Sequence, residues 1–560
     1  MSDRNSRALI VQGDGTILLD VHAHGSEAAR DAIAPFAELE KSPEHMHTYT
    51  VSPLSLWNAA SAGLDAARIV ETLESHSRFD VPANVRRTIF DTISRYGMIW
   101  LEATEDPYRL RMVVPDEGVR KEIEARDALK KYLMPHGEDG FLLDLVHRGT
   151  VKHELIHVGY PVDDRAPLED GEPLEVRLRT IAGTGKPFGL RDYQIEAART
   201  FFGGGTPGTG FGTVVLPCGA GKTVVGMGVM DLVGSSTLIL TTNVAAVHQW
   251  IDELLDKTEL RVDQIGEYTG KRKDIKPVTI ATYQILIWRK DRESPFPHFD
   301  LFRSRRWGLI IYDEVHLLPA PVFRVTAEIQ AIRRLGLTAT LIREDNRQED
   351  VFSLVGPKRY DVPWKQLEQK GWIAEAVCYE IRVDIDHDLR LEYAVADRRR
   401  KFRLASENPR KHGIVAQIVE NHPEDAILVI GQYLDQLRQI AESLQVPLIT
   451  GKTPNEKREE IYAGFKRGDF RVIVVSKVAN FAIDLPDASV AIQISGSFGS
   501  RQEEAQRLGR ILRPKEHRNS SFFTIVSNRT VEEQFASNRQ KFLTEQGYTY
   551  HIEHWEDTET

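Results

Sequence analysis

The stretch LPCGAGKTVV, residues 216–225, lies between a short apolar run and a segment that predicts a helix. Residues 212–216 predict a buried β-strand, because the residues after the first glycine are apolar or β-branched without polar alternation. The next glycines allow a tight turn in which successive backbone N–H groups point inward at an anion. We therefore predict a phosphate-binding loop formed by Gly219, Ala220, Gly221, Lys222 and Thr223.

The end of this loop carries groups that a nucleoside triphosphate needs. Lys222 adds a mobile positive charge, and Thr223 adds a hydroxyl that can ligate Mg²⁺. The following helix presents the positive end of its dipole to the same phosphates. The usual loop pattern has a glycine where this chain has Leu216, so a plain strand–helix connection is the alternative interpretation. The Gly-Lys-Thr sequence favours bound ATP and Mg²⁺, and the missing glycine points to helicases, whose loops often lack it.

The composition is that of an ordinary soluble globular protein. The 560 residues are 41% hydrophobic and 28% charged, and the length predicts roughly three to four domains. Cys218 and Cys378 lie far apart, so the cysteines imply neither disulfides nor a zinc or iron–sulfur site. No apolar run reaches membrane-span length and the first residues are too polar for a signal peptide, so we expect no membrane partner and a cytoplasmic location. The net charge of −10 counts slightly against a nucleic-acid partner, which would need local basic surface.

Two small α+β modules are predicted at the start of the chain. We assign residues 1–105 to a hairpin around Asp14-Gly15 and a winged-helix-like module, whose helices span residues 27–40, 54–63 and 83–96 before a strand at 98–103. Pro35 must bend or end the first of these helices. We assign residues 106–175 to a small α/β domain with a helix over 117–133 between two strands, and to an acidic linker at 163–173.

From about residue 189 onward, strands alternate with helices, which is typical of parallel, helix-covered sheets. The first set of candidate strands comprises residues 213–217, 236–242, 278–283, 309–314 and 336–340. The second set comprises residues 426–431, 446–450, 470–476, 489–495 and 521–527. We predict two tandem lobes, residues 176–362 and 363–560, with a nucleotide in the cleft between them at the carboxyl ends of strands.

A second motif, LIIYDEVH, occupies residues 309–316. Two carboxylates at the end of a buried apolar strand are costly unless they hold a cation or act on a reacting water. We predict that Asp313 holds Mg²⁺ through water and that Glu314 deprotonates the attacking water. A surface turn with adjacent acids is the alternative, but the position about 90 residues after Lys222, within the same alternation of strands and helices, favours catalysis.

A third motif lies in EAQRLGRILRP, residues 504–514. Arg510 and Arg513 are three residues apart and would share one face of a helix, with Gln506 one turn earlier. An arginine that reaches the γ-phosphate from the opposite lobe stabilises charge in the transition state. Alone, the segment fits an amphipathic helix with solvated arginines equally well; the other two motifs favour the catalytic interpretation.

In their order, these motifs resemble those of superfamily 2 helicases. LTAT at residues 337–340 stands where that superfamily has its next motif, and LRDYQ at 190–194 resembles its adenine-reading Q motif. DEVH, the IREDNR segment and residues 476–514 narrow the resemblance to the XPB family, in its compact prokaryotic form. The resemblance is strong from about residue 180 to the end of the sequence and less diagnostic before it.

The resemblance implies two RecA-like lobes that hydrolyse ATP at their interface. It implies an ATP-dependent 3′→5′ DNA helicase or translocase that unwinds or remodels duplex DNA in repair or transcription, in the prokaryotic cytosol or nucleoid. Single-stranded DNA and duplex junctions would be its substrates. Residues 106–175 would form a damage-recognition-like domain, and a thumb-like insertion would lie near residues 385–412.

The family also implies roles for individual residues. Gln194 would recognise the adenine base with Arg191 nearby, and His316 and Gln506 would link the nucleotide site to the other lobe and to DNA. Asp484 would have a sugar or coupling role, although Ala482 stands where glycine is common. The family's duplex-opening RED element is matched by Arg343, Glu344 and Asp345, for which a solvated charged loop is the alternative.

DNA contacts are predicted in the most basic stretch, residues 396–412. Contacts from its cations to phosphates would be salt-sensitive and blind to base sequence. A solvated helix face of mixed charge is the alternative, and residues 269–276 are a weaker candidate. The cations concerned are Arg398, Arg399, Arg400 and Lys401.

Three functions fit the motifs. The leading prediction is a DNA helicase that separates strands. A duplex translocase that distorts DNA without releasing a strand would use the same residues. The third is an ATP-gated protein that recruits a partner, and a nuclease is a plausible partner by family analogy, because no nuclease constellation is visible in the sequence.

Overall fold

The computed structural model describes the chain except residues 1–5, 42–44, 207, 218, 292–293, 295, 331, 340–347, 363–366, 368–369, 371, 373–375, 477–487, 496–519, 546–548 and 556–560. Contacts divide the chain into two compact units. The first comprises residues 1–38, 48–216 and 221–362, and the second comprises residues 39–47, 217–220 and 363–560.

The chain begins with the predicted hairpin. Strands β1 (Leu9–Val11) and β2 (Thr16–Asp20) pair antiparallel, and the Asp14 carboxylate accepts a hydrogen bond from the backbone N–H of Thr16 at 2.9 Å. With β3 (Glu38–Lys41) and β4 (Met46–Thr50) they form a sheet in the order β1-β2-β4-β3. The helices of this region are α1 (Ser26–Ile33), α2 (Pro53–Ser61), α3 (Ala66–His76) and α4 (Ala83–Arg95).

The observed helices differ from the predicted ones in two details, and the first lies at Pro35, which was expected to bend or end its helix. The helix predicted over residues 27–40 ends at Ile33, because Pro35 cannot continue it, and the following residues form β3. Helix α3 was not predicted, although Asp65 caps it by accepting a hydrogen bond from the backbone N–H of Arg68 at 2.8 Å.

A five-stranded sheet forms the second small module. Its strands are β5 (Ile99–Ala103), β6 (Arg109–Val113), β7 (Met134–Pro135), β8 (Gly140–Asp144) and β9 (Val162–Asp164), in the order β7-β8-β6-β5-β9. Its helices are α5 (Glu117–Glu124), α6 (Asp127–Lys130) and α7 (Arg148–His157), so the helix predicted over 117–133 is two helices. Because β5 pairs with β6, this sheet begins before the predicted boundary at residue 105.

The acidic segment predicted as a linker contains a buried charge. Asp164 is 2% exposed, and its two oxygens accept hydrogen bonds from the Arg148 guanidinium at 2.9 and 3.0 Å. Lys152 donates to the same carboxylate at 2.8 Å and to Gln330 at 3.0 Å. The linker prediction is therefore wrong at Asp164, because this residue is bonded to Arg148 and Lys152 inside the first unit.

The rest of the first unit is a parallel sheet with helices between its strands. The strands are β10 (Phe211–Val215), β11 (Thr237–Thr241), β12 (Ile265–Tyr268), β13 (Val278–Thr282), β14 (Leu309–Asp313), β15 (Arg333–Thr338) and β16 (Lys358–Asp361). They lie in the order β12-β13-β11-β14-β15-β10-β16. The helices are α8 (Asp192–Phe202), α9 (Lys222–Val233), α10 (Val244–Lys257), α11 (Tyr283–Leu286), α12 (Ala320–Glu328) and α13 (Gln348–Asp350).

The second unit repeats this architecture. Its strands are β17 (Ala376–Val383), β18 (Ile427–Gly431), β19 (Leu448–Ile449), β20 (Val472–Ser476), β21 (Val490–Gln493), β22 (Ser520–Ser527) and β23 (Thr549–His554). They lie in the order β19-β20-β18-β21-β22-β17-β23. The described helices are α14 (His387–Val395), α15 (Arg398–Ser406), α16 (Lys411–Asn421), α17 (Leu434–Leu444), α18 (Asn455–Arg467) and α19 (Val531–Glu545).

The predicted fold class is confirmed. Two RecA-like, seven-stranded parallel sheets follow small α+β modules, and every residue of the central strands β10, β11 and β18 is buried, as expected for sheets covered on both faces. The predicted strands are all present. In the two parallel sheets β12, β16, β17 and β23 were not predicted, and three of them lie at sheet edges; in the small modules β3, β4, β7 and β9 were not predicted. Among the described helices, none is long and apolar enough to span a membrane.

Candidate functional site

The predicted phosphate loop joins the end of β10 to the start of α9. Gly219 and Gly221 have φ angles of 80° and 77°, in the left-handed region that favours glycine. At Gly221 a side chain would also collide with the amide nitrogen of Gln194, 2.6 Å from the position of an added Cβ. Lys222 and Thr223 occupy the first turn of the twelve-residue helix α9. The two glycines therefore allow the tight turn of a phosphate loop before the helix amino terminus, and within this turn the Ala220 N–H donates a hydrogen bond to the Pro217 carbonyl at 3.2 Å.

The acidic pair lies at the carboxyl end of β14, on the same edge of the sheet. Asp313 ends this strand, and Glu314 follows it with φ 52° and ψ 56°. A left-handed backbone at a non-glycine residue costs on the order of 1–3 kcal/mol and is common at functional sites. Glu314 Oε1 lies 3.2 Å from the Lys222 ammonium, and both side chains are 13% exposed. The structure thus brings two of the predicted motifs into direct contact.

The two carboxyl groups have opposite pKa shifts. Burial, together with the neighbouring Glu314 charge, raises the pKa of Asp313 to about 6, although the Trp250 indole N–H donates a hydrogen bond to it at 2.9 Å. Burial alone would raise the pKa of Glu314, but the charges of Lys222 and His316 lower it below its usual value. Glu314 therefore loses its proton at a lower pH than Asp313 does.

His316 connects the acidic motif to the end of β15. It is 4% exposed, and its Nδ1 lies 2.6 Å from the Thr338 hydroxyl and 3.6 Å from Glu314 Oε2. Thr338 belongs to the LTAT segment, whose last residue lies outside the described part of the chain. The imidazole therefore lies between Glu314 and the LTAT segment.

The LRDYQ segment lies beside the phosphate loop. The Gln194 side chain is buried, its oxygen accepts the backbone N–H of Arg191 at 2.9 Å, and its amide nitrogen faces Gly221. The Arg191 guanidinium contacts the Tyr193 hydroxyl at 3.3 Å. Gln194 is thus a helix-capping residue in contact with the loop, as well as the predicted reader of the base.

Two residues of this site were not predicted. Trp250 projects from α10 to Asp313, and Thr338 meets His316. Both contacts arise from packing between elements distant in the sequence, and no local pattern indicates them. A buried tryptophan with a polar donor needs a nearby acceptor, but its partner cannot be read from spacing.

Several predicted site residues lie outside the described part of the chain. They are Arg343, Glu344, Asp345, Asp484, Gln506, Arg510 and Arg513. Their predicted roles in duplex opening, coupling and catalysis stay predictions.

The predicted DNA-contact residues form the first turn of α15. Arg398, Arg399 and Arg400 are exposed, whereas Phe402 on the same helix is buried. The Asp397 carboxylate caps the helix by accepting the backbone N–H of Arg400 at 2.8 Å. The Arg400 side chain pairs with Glu392 at 2.5 Å, which reduces the positive charge it offers to a ligand. Lys401 lies over the Tyr393 ring, 5.5 Å from its centroid.

Family models match three parts of the chain. Residues 367–559 match the model described as ERCC3/RAD25/XPB C-terminal helicase, and residues 187–343 match the model described as type III restriction enzyme, res subunit. Residues 9–136 match a model described as helicase conserved C-terminal domain. Both parallel-sheet lobes and the small modules are therefore similar to known families.

Curated relatives align over nearly the whole chain. The DNA 3′-5′ helicase XPB of Kineococcus radiotolerans is 49% identical over 97% of this chain and 96% of its own length. The protein of the same name from Mycobacterium tuberculosis is 49% identical over 98% of both chains. The general transcription and DNA repair factor IIH helicase/translocase subunit XPB of Encephalitozoon cuniculi is 33% identical over 98% of this chain and 83% of its own length.

Proposed function

The chain belongs to the XPB family of DNA 3′-5′ helicases, and from this membership we propose how its residues drive an ATP-dependent DNA motor. Its function is that of an ATP-dependent 3′-5′ DNA helicase or translocase of the repair and transcription type. The observation that carries our assignment of the catalytic site is the contact between Lys222 and Glu314, at 3.2 Å. It joins the phosphate loop to the acid that would activate water.

We propose that ATP binds with Mg²⁺ at this edge of the sheet. Thr223 and Asp313 would hold the ion, since Mg²⁺ takes oxygen ligands and keeps several waters. The raised pKa of Asp313 supports this role, because a nearby dication offsets the cost of a buried carboxylate. When bound, Mg²⁺ supplies positive charge to the phosphate oxygens and the leaving group. Loop N–H groups of Gly219, Ala220 and Gly221 would hold the same phosphates.

Glu314 would act as the general base. Lys222 holds its carboxylate ionised by an ion pair. A γ-phosphate competes for the same ammonium, so the arrival of ATP would release Glu314 to orient and deprotonate the attacking water. This exchange of partners would keep the base inactive until a phosphate is present.

The remaining assignments rest on the family resemblance. Gln194 and Arg191 would bind the base, and Asp484 would have a sugar or coupling role at the same nucleotide. His316 and Gln506 would link the nucleotide site to the other lobe and to DNA. Arg510 and Arg513 would stabilise the charge that develops on the γ-phosphate.

DNA is the proposed substrate, as single strands and duplex junctions. Arg343, Glu344 and Asp345 would open the duplex, and residues 398–401 would contact its phosphates. By family analogy we also propose a nuclease partner and a cytoplasmic, nucleoid-associated location. Co-purification from a native extract with a nuclease assay tests the partner, and fractionation tests the location.

Strand release separates the two motor mechanisms. A helicase displaces a labelled strand from a forked duplex, whereas a translocase that keeps both strands displaces only a third strand from a triplex. We propose strand separation with 3′→5′ polarity, so a 3′ overhang should support displacement and a 5′ overhang should not. Triplex displacement without fork unwinding would favour the translocase.

The substitutions Glu314→Gln and Lys222→Ala test the catalytic assignment. Glu314→Gln should lower kcat for ATP hydrolysis by about 10²–10⁴-fold, because general-base catalysis is lost, with ATP affinity within a few-fold. Lys222→Ala should instead weaken ATP binding. Fluorescent-nucleotide titration and steady-state hydrolysis measure the two effects. Near-normal turnover by Glu314→Gln would remove this residue from the mechanism.

A further inference from the structure

Helix α7 carries the sequence HELIH at residues 153–157. Residues four apart lie on one helix face, so His153 and His157 point in the same direction. Helices with a His-Glu-x-x-His sequence hold zinc through the two imidazoles. Neither histidine takes part in the proposed ATP or DNA chemistry, which leaves this pattern without a role.

The imidazoles are already at a metal-binding distance from each other. Their Nε2 atoms lie 3.3 Å apart, and the rings meet edge to face with centroids 4.5 Å apart. In a tetrahedral zinc site with Zn–N bonds of about 2.0–2.1 Å, the two nitrogens are about 3.3–3.4 Å apart. Zinc would therefore fit between these nitrogens with little movement of the helix.

A third ligand comes from a distant part of the chain. The carboxylate of Asp350, in α13, has Oδ1 3.9 Å from His157 Nε2 and 3.5 Å from His153 Nδ1, the second nitrogen of that ring, so this oxygen would shift towards the two Nε2 atoms to join them as a ligand. One ligand atom from each of the three residues lies within 4.8 Å of the others. Asp350 is 6% exposed, and a carboxylate at this depth gains from a neighbouring cation.

A fourth side chain orients one of the imidazoles. Glu349 Oε2 lies 3.2 Å from His157 Nδ1. With the proton on Nδ1 donated to this carboxylate, His157 Nε2 presents its lone pair towards His153. Metal-binding histidines usually have such a carboxylate partner on the nitrogen that does not bind the metal. The side chains of both histidines are partly exposed, at 30% and 46%, so an ion can reach them from solvent.

We propose that His153, His157 and Asp350 bind one zinc-class divalent cation. The ligand set is two imidazoles and a carboxylate, which suits zinc and its neighbours; Mg²⁺ prefers oxygen ligands alone, so this site is distinct from the proposed Mg²⁺ site. The ion would clamp α7 of the five-stranded sheet to α13 within the first unit. In the sequence, α13 begins three residues after Asp345 of the predicted RED element.

A zinc titration of the full chain tests this site. Protein stripped with a chelator would be titrated with Zn²⁺ in competition with a chromogenic chelator, without nucleotide or Mg²⁺. The variants are His153→Gln, His157→Gln and Asp350→Asn. The matched control is His136→Gln, which changes an exposed histidine of the same sheet module. Wild type and control should each bind one equivalent tightly, and the three variants should lose it or bind at least about tenfold more weakly.

Cobalt provides an independent readout on the unaltered protein. Co²⁺ at the three ligands and one water should give the intense visible absorption of a tetrahedral site, and one equivalent of Zn²⁺ should abolish it. The proposal is overturned if wild type shows no such band, or if the variants bind zinc as tightly as wild type. The latter outcome would leave HELIH as a hydrogen-bonded imidazole pair only. Variants that fail to fold do not affect the cobalt measurement.

Discussion

Asp313 and Glu314 are adjacent residues whose carboxyl groups have different surroundings and opposite pKa shifts. Trp250 and burial define the surroundings of Asp313, whereas Lys222 holds Glu314 ionised. Two neighbouring acids with separated pKa values are typical of sites where one holds a cation and the other moves a proton. This difference is why we assign the metal to Asp313 and the base to Glu314.

Trp250→Phe should weaken the response to Mg²⁺. The change removes the N–H that fixes Asp313, and a hydrogen bond to a charged group contributes about 1.5–3 kcal/mol, so the Mg²⁺ concentration for half-maximal ATP hydrolysis should rise roughly tenfold. Trp307→Phe is the matched control, because Trp307 is equally buried in the same lobe but donates to the Leu301 carbonyl. An equal effect from both substitutions would attribute the loss to packing rather than to Asp313.

The meeting of the phosphate loop and the acidic motif at one edge of the sheet was predicted, but the contacts around them were not. The phosphate loop and the acidic motif are short patterns. Their residue types and spacing predict the roles of Lys222, Asp313 and Glu314. Trp250 and Thr338 act through packing between α10, the 3₁₀ turn after β14 and the end of β15. Such contacts depend on three-dimensional register, which one sequence does not record.

Among the elements, α7 is distinguished by buried charge. Arg148 is fully buried and Lys152 nearly so, and both donate to Asp164. Burial alone would raise the pKa of Asp164, but the two cations hold it well below its usual value. Burial lowers the pKa of Lys152 to about 8, and repulsion from Arg334 and Arg148 acts in the same direction. The attraction of Asp164 offsets only part of this shift. The cluster therefore depends on one carboxylate that balances two cations.

Asp164→Asn should destabilise the first unit strongly. Removing one partner of a buried ion pair costs about 3–5 kcal/mol, because the other charges stay buried, and the melting temperature should fall by roughly 10 °C. Scanning calorimetry measures the change. Asp163→Asn is the control, since its carboxylate is partly exposed and pairs with Arg165. A loss below 1 kcal/mol for Asp164→Asn would contradict the account.

The stability that Asp164→Asn loses should depend on pH in a direction set by the pKa shifts of Asp164 and Lys152. The folded pKa of Asp164 is depressed, so its contribution is present above the unfolded value of about 3.9 and is lost as pH falls through the folded pKa. Lys152 has a folded pKa of about 8, below its ordinary value of 10.5, so the cost of burying its charge is relieved as pH rises between the two values. Asp164→Asn also removes the attraction that keeps Lys152 protonated, so Lys152 becomes neutral at a lower pH in the variant than in wild type. The difference in stability between the two proteins should therefore shrink from pH 7 to pH 9.

Element prediction succeeded where the apolar pattern was continuous. Strands such as β10 and β18 are buried throughout and were predicted, whereas β16 and β23 carry polar residues at sheet edges. The linker prediction failed because acidic residues were assumed to be solvated. The HELIH sequence lies inside helix α7 and was not predicted as a site.

At the scale of the whole molecule, the proposed motor residues divide between two parallel-sheet lobes. Lys222 and Glu314 belong to the first unit, while the sequence of the second contains Arg510 and Arg513. If these arginines stabilise the γ-phosphate, ATP turnover requires both units.

The double substitution Arg398→Ala/Arg399→Ala tests the basic helix α15. Each lost phosphate contact should lower the steepness of the salt dependence by about one unit, so the slope of log K against log salt should decrease in magnitude by roughly two. Fluorescence anisotropy with duplex and single-stranded DNA measures this slope. The control Arg438→Ala/Arg467→Ala removes the same charge from exposed positions on α17 and α18. Equal slopes for both double variants would exclude α15 as a DNA contact.

The most direct test of the central claim is the rate of ATP hydrolysis with and without nucleic acid. Steady-state turnover would be measured alone and with single-stranded DNA, duplex DNA and RNA, at two salt concentrations, with Glu314→Gln as the control. The account predicts salt-sensitive stimulation by DNA that disappears in the variant. Equal turnover with and without every nucleic acid would contradict a motor in which this site couples hydrolysis to movement along DNA.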